Sequence, residues 1–377
     1  MDDRRRGRGP GRVRAARKVA AAAVAAAVLG ACSSTGGGAS PKTGKPASDA
    51  APVVSPSAAR AILGPTMATN NRANARLDSS LLASYEAGSA FALDNATYEA
   101  DRAAHFRPPP APFTVDLMQL ALTRQTAYPA KFVAEGIQHS LSKSAPAAAT
   151  SCGTILTFER ASSRSPWRIV LEPSLKASQL PRLASGSGGF APAVDQARRR
   201  VADGLPEKVV QALLTEETTG RLGPFRPSDF TDPCGGIPNP RQDVTSAEAA
   251  GFSQRDLFRT AARPDTTAFA LAGGGTLVMF TLRFEDQLLA TEPSNLIDWS
   301  HPSLSQSPGE AWTYFLSAGT YSEVSESGEL EMAVELSPSG TSWRFVGSYG
   351  GVTSVTGHRA TPSSAPPTTS QLAAAFP

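Results

Sequence analysis

The chain has 377 residues, more than one ordinary hydrophobic core needs, and this length points to two domains plus tails. It carries 36 Lys and Arg against 33 Asp and Glu, but eight of the basic and two of the acidic residues fall in residues 1–18. The remainder holds 28 basic against 31 acidic side chains, a formal charge of −3, which excludes the basic footprint of a nucleic-acid-binding protein.

The N-terminal stretch RRRGRGPGRVRAARK precedes an apolar run over residues 19–29, and this order of basic flank, short apolar core and small residues is that of an export signal. Eleven helical residues reach about 16 Å against a bilayer core of about 30 Å, so a permanent transmembrane helix is the weaker reading. The run ends Leu29, Gly30, Ala31, Cys32, which resembles the lipobox of bacterial lipoproteins. The resemblance implies cleavage between Ala31 and Cys32 and lipid modification of the Cys32 thiol. Two or three acyl chains, at about 0.8 kcal/mol per buried methylene, anchor stably where one chain anchors marginally. A free cysteine in a signal peptide cleaved nearby is the alternative. Residues 1–31 are thus expected as a lipoprotein signal peptide and residues 32–54, rich in Gly, Ser and Pro, as a flexible tether. The body is expected on the extracytoplasmic face of the cell membrane, lipid-anchored.

Ser55 and Pro56 read as a helix start of the cap-then-proline kind, and mixed helical patterning follows. Gly64 and Pro65 are expected to break that helix, giving two or three pieces before the proline cluster at residues 108–110. Strand-like text follows: FTVDLMQLAL, KFVAEGI, GTILTFERA and WRIVLEPSL. The first is apolar at Phe113, Val115 and Leu117, then at Met118, Leu120 and Leu122, a phase switch that predicts a bulge or a strand buried on both faces. The stretch ASGSGGF reads as an interdomain linker. Two helical segments come next, PAVDQARRRVADGL and PEKVVQALLTEETTG, the latter with Pro206 near its start and Gly220 past its end. TTAFALAGGGTLVMFTLRFE predicts a hairpin across Gly273, Gly274 and Gly275, and AWTYFLSAG, GELEMAVEL and SWRFVGSYG are strand-like again. Residues 359–377, mostly Pro, Ser, Thr and Ala, are expected as a disordered tail.

LTFERASSRSPWRIV and MAVELSPSGTSWRFV align without a gap, pairing Glu159 with Glu335, Trp167 with Trp343 and Arg168 with Arg344. Apolar parity agrees, since Leu156, Phe158 and Ile169 match Met332, Val334 and Phe345, so each tryptophan is expected to cover a sheet against helices. Helices followed by a curved antiparallel sheet, twice, resembles the NTF2-like fold, also called cystatin-like, in tandem. The segments TNNRANARLD, YEAGSAFALDNATY and SPWRIVLEP are similar to a family of actinobacterial, streptomycete-like lipoproteins of unknown function. The fold class expected is therefore α+β, with tandem domains over residues 55–180 and 190–358. The resemblance carries no active site to transfer.

With Cys32 assigned to lipid, Cys152 and Cys234 remain as an even pair in an oxidising compartment and are expected as a disulfide clamping the domains, against two free thiols. Ser140 and Lys143 fit a Ser-x-x-Lys pattern, but the Lys-Thr-Gly at residues 42–44 lies in the tether and in the wrong order, so transpeptidase and lactamase chemistry is rejected. The histidines at 105, 139, 301 and 358 show no ligand-like spacing; no metal site and no cofactor are expected. Glu159 and Glu335 read as cross-strand ion pairs with Arg168 and Arg344. Asp116 and His139, on strands, are the weak catalytic candidates if a cone encloses a pocket, with exposed strand positions as the bland alternative. The expected role is non-catalytic binding of a small ligand, a cell-wall component or an envelope partner. A small-molecule isomerase or hydrolase and a purely structural envelope component are the alternatives.

Overall fold

The computed structural model describes residues 51–105, 112–141, 152–261, 266–292, 296–299 and 314–360. The expected signal peptide, Ala31 and Cys32, most of the tether, Ser142, Lys143, His301 and residues 361–377 lie outside the described residues. No helix among the described residues is long and apolar enough to cross a membrane.

Helix α1 (Pro56–Arg76) opens where the sequence places it: the Ser55 hydroxyl accepts from the Ala58 N–H at 3.2 Å and Pro56 takes the first turn. The expected break at Gly64 and Pro65 does not occur. Ala61, Gly64 and Pro65 are all exposed, so the carbonyl that proline leaves unpartnered faces water. The buried stripe of Ala59, Leu63, Met67, Asn70 and Ala73 runs on unbroken beneath it. The chain turns instead at Leu77, in the left-handed region, into α2 (Ser79–Tyr85), capped by Asp78, and then into α3 (Gly88–Ala103). The folded part also begins earlier than expected. Val54 is buried in the first core and the Val53 N–H donates to the Gln125 carbonyl at 2.8 Å, so the tether ends before these residues.

Strands β1 (Phe113–Ala121), β2 (Ala130–Ser140), β3 (Cys152–Arg160), β4 (Arg168–Leu171) and β5 (Ser174–Lys176) complete the first half. The second has α4 (Gln196–Asp203), α5 (Leu205–Thr219), α6 (Pro240–Ala249), β6 (Phe252–Thr260), β7 (Thr267–Ala270), β8 (Thr276–Ala290), β9 (Ile297–Trp299), β10 (Gly319–Leu336) and β11 (Trp343–Arg359). Helix α6 and strands β6 and β9 carry no strong pattern in the sequence. The bulge read from the phase switch is present: pairing slips between Leu117 and Gln119, turning Met118 out to 57 % exposure while Leu120 and Leu122 point inward. Gly220 ends α5 in the left-handed conformation, and the β7–β8 hairpin turns through Gly274 at φ 82°.

All the strands join one antiparallel sheet, ordered β1-β2-β3-β5-β11-β10-β8-β6, with β4 on β3, β7 on β8 and β9 on β10. The protein is thus α+β around a large sheet. The internal repeat is visible in its hydrogen bonding. Glu159 lies opposite Arg168 and Phe158 opposite Ile169, as Glu335 lies opposite Arg344 and Val334 opposite Phe345. Pairing slips between Thr157 and Phe158 in one hairpin and between Ala333 and Val334, the matching positions, in the other. Trp167 packs edge-on to Phe132 and Trp343 edge-on to Phe225, each over the core beneath its own helices.

A third core is shared. Val133, Ile155 and Leu171 from the first half meet Leu277, Met279, Ala333 and Val346 from the second, on the sheet faces turned away from α1 and α5. The segment read as a linker is held in this seam: Ala184 donates to the Ala270 carbonyl, Ala191 to that of Leu122, and Leu183 is buried. Strand β5 bridges the halves, with Ser174 pairing both Thr154 and Ser348. Cys152 is bonded to Cys234 across the same seam, where Lys176 also pairs with Asp232 at 3.2 Å.

Candidate functional site

Asp116 and His139 lie on β1 and β2, 3.2 Å apart, with 71 % and 49 % of their side chains exposed. They touch each other at the surface and line neither of the grooves found among the described residues. Glu335 pairs with Arg344, as expected, whereas Glu159 takes Lys131 on β2 at 3.0 Å although Arg168 lies opposite it in register. Lys131 and Glu159 are both about four-fifths buried, which favours this closer partner.

The structure instead gathers carboxylates that no local motif announces. Glu86 follows α2 and bridges to Ile169; Asp94 lies on α3, Glu172 in the turn from β4 to β5, and Glu331 on β10. Helix α3 belongs to the first half yet packs across β10 and β11, and this crossing brings them together. Ser89, one residue into α3, donates at 2.6 Å to Glu331, whose other oxygen accepts from the Glu172 N–H. The Ser89 hydroxyl also lies 2.8 Å from that of Thr281 on β8. Tyr349 on β11 donates to Asp94 at 2.7 Å, and Tyr98 donates to Asn74.

Glu86 is 1 % exposed and neither of its oxygens has a hydrogen-bond partner; Glu331 is fully buried, and Asp94 and Glu172 are half-buried. Burial, reinforced by the charges of Asp94 and Glu331 and opposed by the neighbouring Tyr85 hydroxyl, pushes the Glu86 carboxyl up to about 10. Burial raises Asp94 to about 6 against the lowering effect of Tyr349, and Glu331 to about 8. Glu172 is raised by burial and by its three acidic neighbours. Every charge acting on these four groups among the described residues is acidic. One oxygen from each of Glu86, Asp94 and Glu172 lies within 4.8 Å of the others.

Next to this cluster the same sheet face opens into a groove of about 360 Å³. Its walls include Arg259 on β6, Arg283 and Glu285 on β8, Ser327 and Glu329 on β10, and Thr353 on β11. Arg259 and Arg283 lie directly opposite each other across the ladder, and Arg283 pairs with Glu329 at 3.4 Å. Arg259 is exposed and has no ion-pair partner among the described residues. Glu329 and Glu331 are two apart on one strand and so share a face, making the groove and the buried carboxylates neighbours.

The family model described as a domain of unknown function (DUF8094) matches residues 50–357. No curated protein and no solved structure matches the chain.

Proposed function

The chain belongs to the DUF8094 family, and on that premise we propose a lipid-anchored extracytoplasmic protein that binds a ligand without transforming it. The groove carries this reading. Two arginines side by side, one without an acidic partner among the described residues, suit a small ligand bearing a carboxylate or phosphate, such as a cell-wall fragment. Its volume is in the range of small-molecule sites. Each half is read as an NTF2-like, or cystatin-like, unit, a reading supported by the matched pairing slips in the two hairpins.

Cys32, following Leu29, Gly30 and Ala31, is the proposed anchor. Incorporation of radiolabelled palmitate in a bacterial host is expected for the parent and abolished in Cys32→Ala; incorporation unchanged by the substitution, or absent from the parent, defeats the anchor. For the groove, titration with soluble muropeptides and with inorganic phosphate is expected to show saturable binding that Arg259→Ala weakens roughly tenfold or more. Binding that Arg259→Ala leaves intact places the ligand elsewhere.

A second reading, acid–base chemistry on a small molecule, draws on one observation: the Tyr349 hydroxyl rests on Asp94 among carboxyls that burial makes harder to ionise. Turnover of a ligand found by those titrations, lost in Asp94→Asn, would favour it.

A further inference from the structure

The geometry points to a calcium site formed by Glu86, Asp94 and Glu172 where helices α2 and α3 meet the β4–β5 turn. The donor set is all oxygen, with no histidine or cysteine, which selects a hard cation over zinc or copper. The number of protein carboxylates then separates the two common hard cations. Magnesium keeps several of its waters and is usually held by one or two carboxylates, whereas calcium takes about six to eight oxygens and accepts carboxylates through one oxygen or both. Three carboxylates whose oxygens lie within 4.8 Å of one another therefore suit calcium better than magnesium.

The second observation is Glu86 itself. It is 1 % exposed, both oxygens lack a hydrogen-bond partner, and it is aimed at Asp94 and Glu172. A carboxyl buried in this way beside two further carboxyls has a reason to be there if a cation joins it. Three carboxylates supply up to six oxygens when bidentate, and calcium takes about six to eight.

The surrounding groups hold the ligands in place. Tyr349 orients Asp94 through its hydroxyl, and Glu331, fixed by Ser89, holds the backbone of Glu172. Glu331 and Tyr349 come from the second half, so the ion would tighten the crossing of α3 over β10 and β11. None of the three ligands lines the arginine groove, so this site stands apart from the binding reading above.

The test uses the full chain, stripped with chelator and titrated with calcium chloride and, separately, magnesium chloride in a calorimeter. One calcium per chain is expected, with a dissociation constant of about 10⁻⁵ to 10⁻³ M and weaker binding of magnesium. Terbium, a calcium substitute, is expected to luminesce on excitation of tyrosine, because Tyr349 touches Asp94. Asp94→Asn and Glu172→Gln, near-isosteric changes at half-buried positions, are each expected to weaken calcium roughly tenfold or more with unchanged circular dichroism. Calcium should also raise the melting temperature of the parent more than that of either variant. The proposal is overturned if the parent shows neither calcium heat nor terbium emission up to about 10 mM ion, or if both variants bind as the parent does. Should either variant misfold, the parent titrations decide alone.

Discussion

Ser89 in α3 and Glu331 in β10 lie 242 residues apart in the chain and share a 2.6 Å hydrogen bond in the buried seam between the two halves. The same hydroxyl touches Thr281 on β8, so one small side chain links a helix of the first half to two strands of the second. Ser89→Ala strips Glu331 of a donor in a site water does not reach. The expected cost is about 1–3 kcal/mol, measured as a shift in the urea midpoint. Thr281→Ala loses a bond to the same hydroxyl, and the two substitutions together should cost less than their sum. Additive losses, or a loss for Ser89→Ala below about 0.5 kcal/mol, would show that the bond does little for the seam.

The covalent tie across that seam sits between the start of β3 and the loop before α6. Cys152 and Cys234 are 82 residues apart. In the chain-entropy model a loop of that length contributes about 4.5 kcal/mol of stability through the unfolded state. Cys152→Ser with Cys234→Ser, or reduction, is therefore expected to lower stability by several kcal/mol while leaving strand content intact, because the shared core and the β5 pairings remain. Peptide mapping without reductant should recover the linked pair, and two alkylatable thiols in the oxidised protein would contradict it.

Glycine is required where the halves approach most closely. A Cβ on Gly235 would stand 1.8 Å from the Ser174 carbonyl oxygen, and one on Gly347 would stand 2.2 Å from the same atom. Backbone, not a flexible side chain, is in the way, so neither neighbour can step aside without parting β5 from β11. Gly235→Ala and Gly347→Ala are each expected to destabilise by about 3 kcal/mol or more. Hydrogen exchange should show the loss concentrated around Ser174 and Ser348. A neutral result at either position would mean the seam is more yielding than the contacts indicate.

Much of the framework could be read in the residues because its signals are local. The Ser55 cap, the Gly220 stop, the phase switch at Met118 and the triple-glycine hairpin each need only a few neighbours to declare themselves. The cluster could not be read in this way, since its carboxylates come from separate stretches of chain. Glu329, Glu331 and Glu335 alternate with apolar residues, the pattern of a solvent face, yet α3 crosses that face and buries Glu331 completely. One signal was available. The segments YEAGSAFALDNATY and SPWRIVLEP, which carry the resemblance to lipoproteins, contain Tyr85, Glu86, Ser89, Asp94, Tyr98 and Glu172. The helix through Pro65 escapes a local reading for another reason: a proline that faces water forfeits one hydrogen bond to solvent and leaves the packed stripe untouched.

Glu135 on β2 offers a measurement of burial in which no neighbouring charge takes part. It is fully buried; one oxygen accepts from Gln119 at 3.1 Å and the other has no partner, and burial pushes the carboxyl up to about 8. The unfolded chain has the ordinary carboxylate value near 4.5. Between these values the folded state holds a proton that the unfolded state releases, so rising pH favours unfolding. The contribution is fully present below about pH 4.5 and is lost as pH climbs through about 8, at up to about 1.4 kcal/mol per pH unit. Glu135→Gln keeps the shape without the titration. Its stability relative to the parent should therefore grow steadily from pH 5 to pH 8 and level off above, read from urea midpoints at each pH. A difference that stays flat across that range would mean the carboxyl is ionised in the fold, with a partner for its second oxygen.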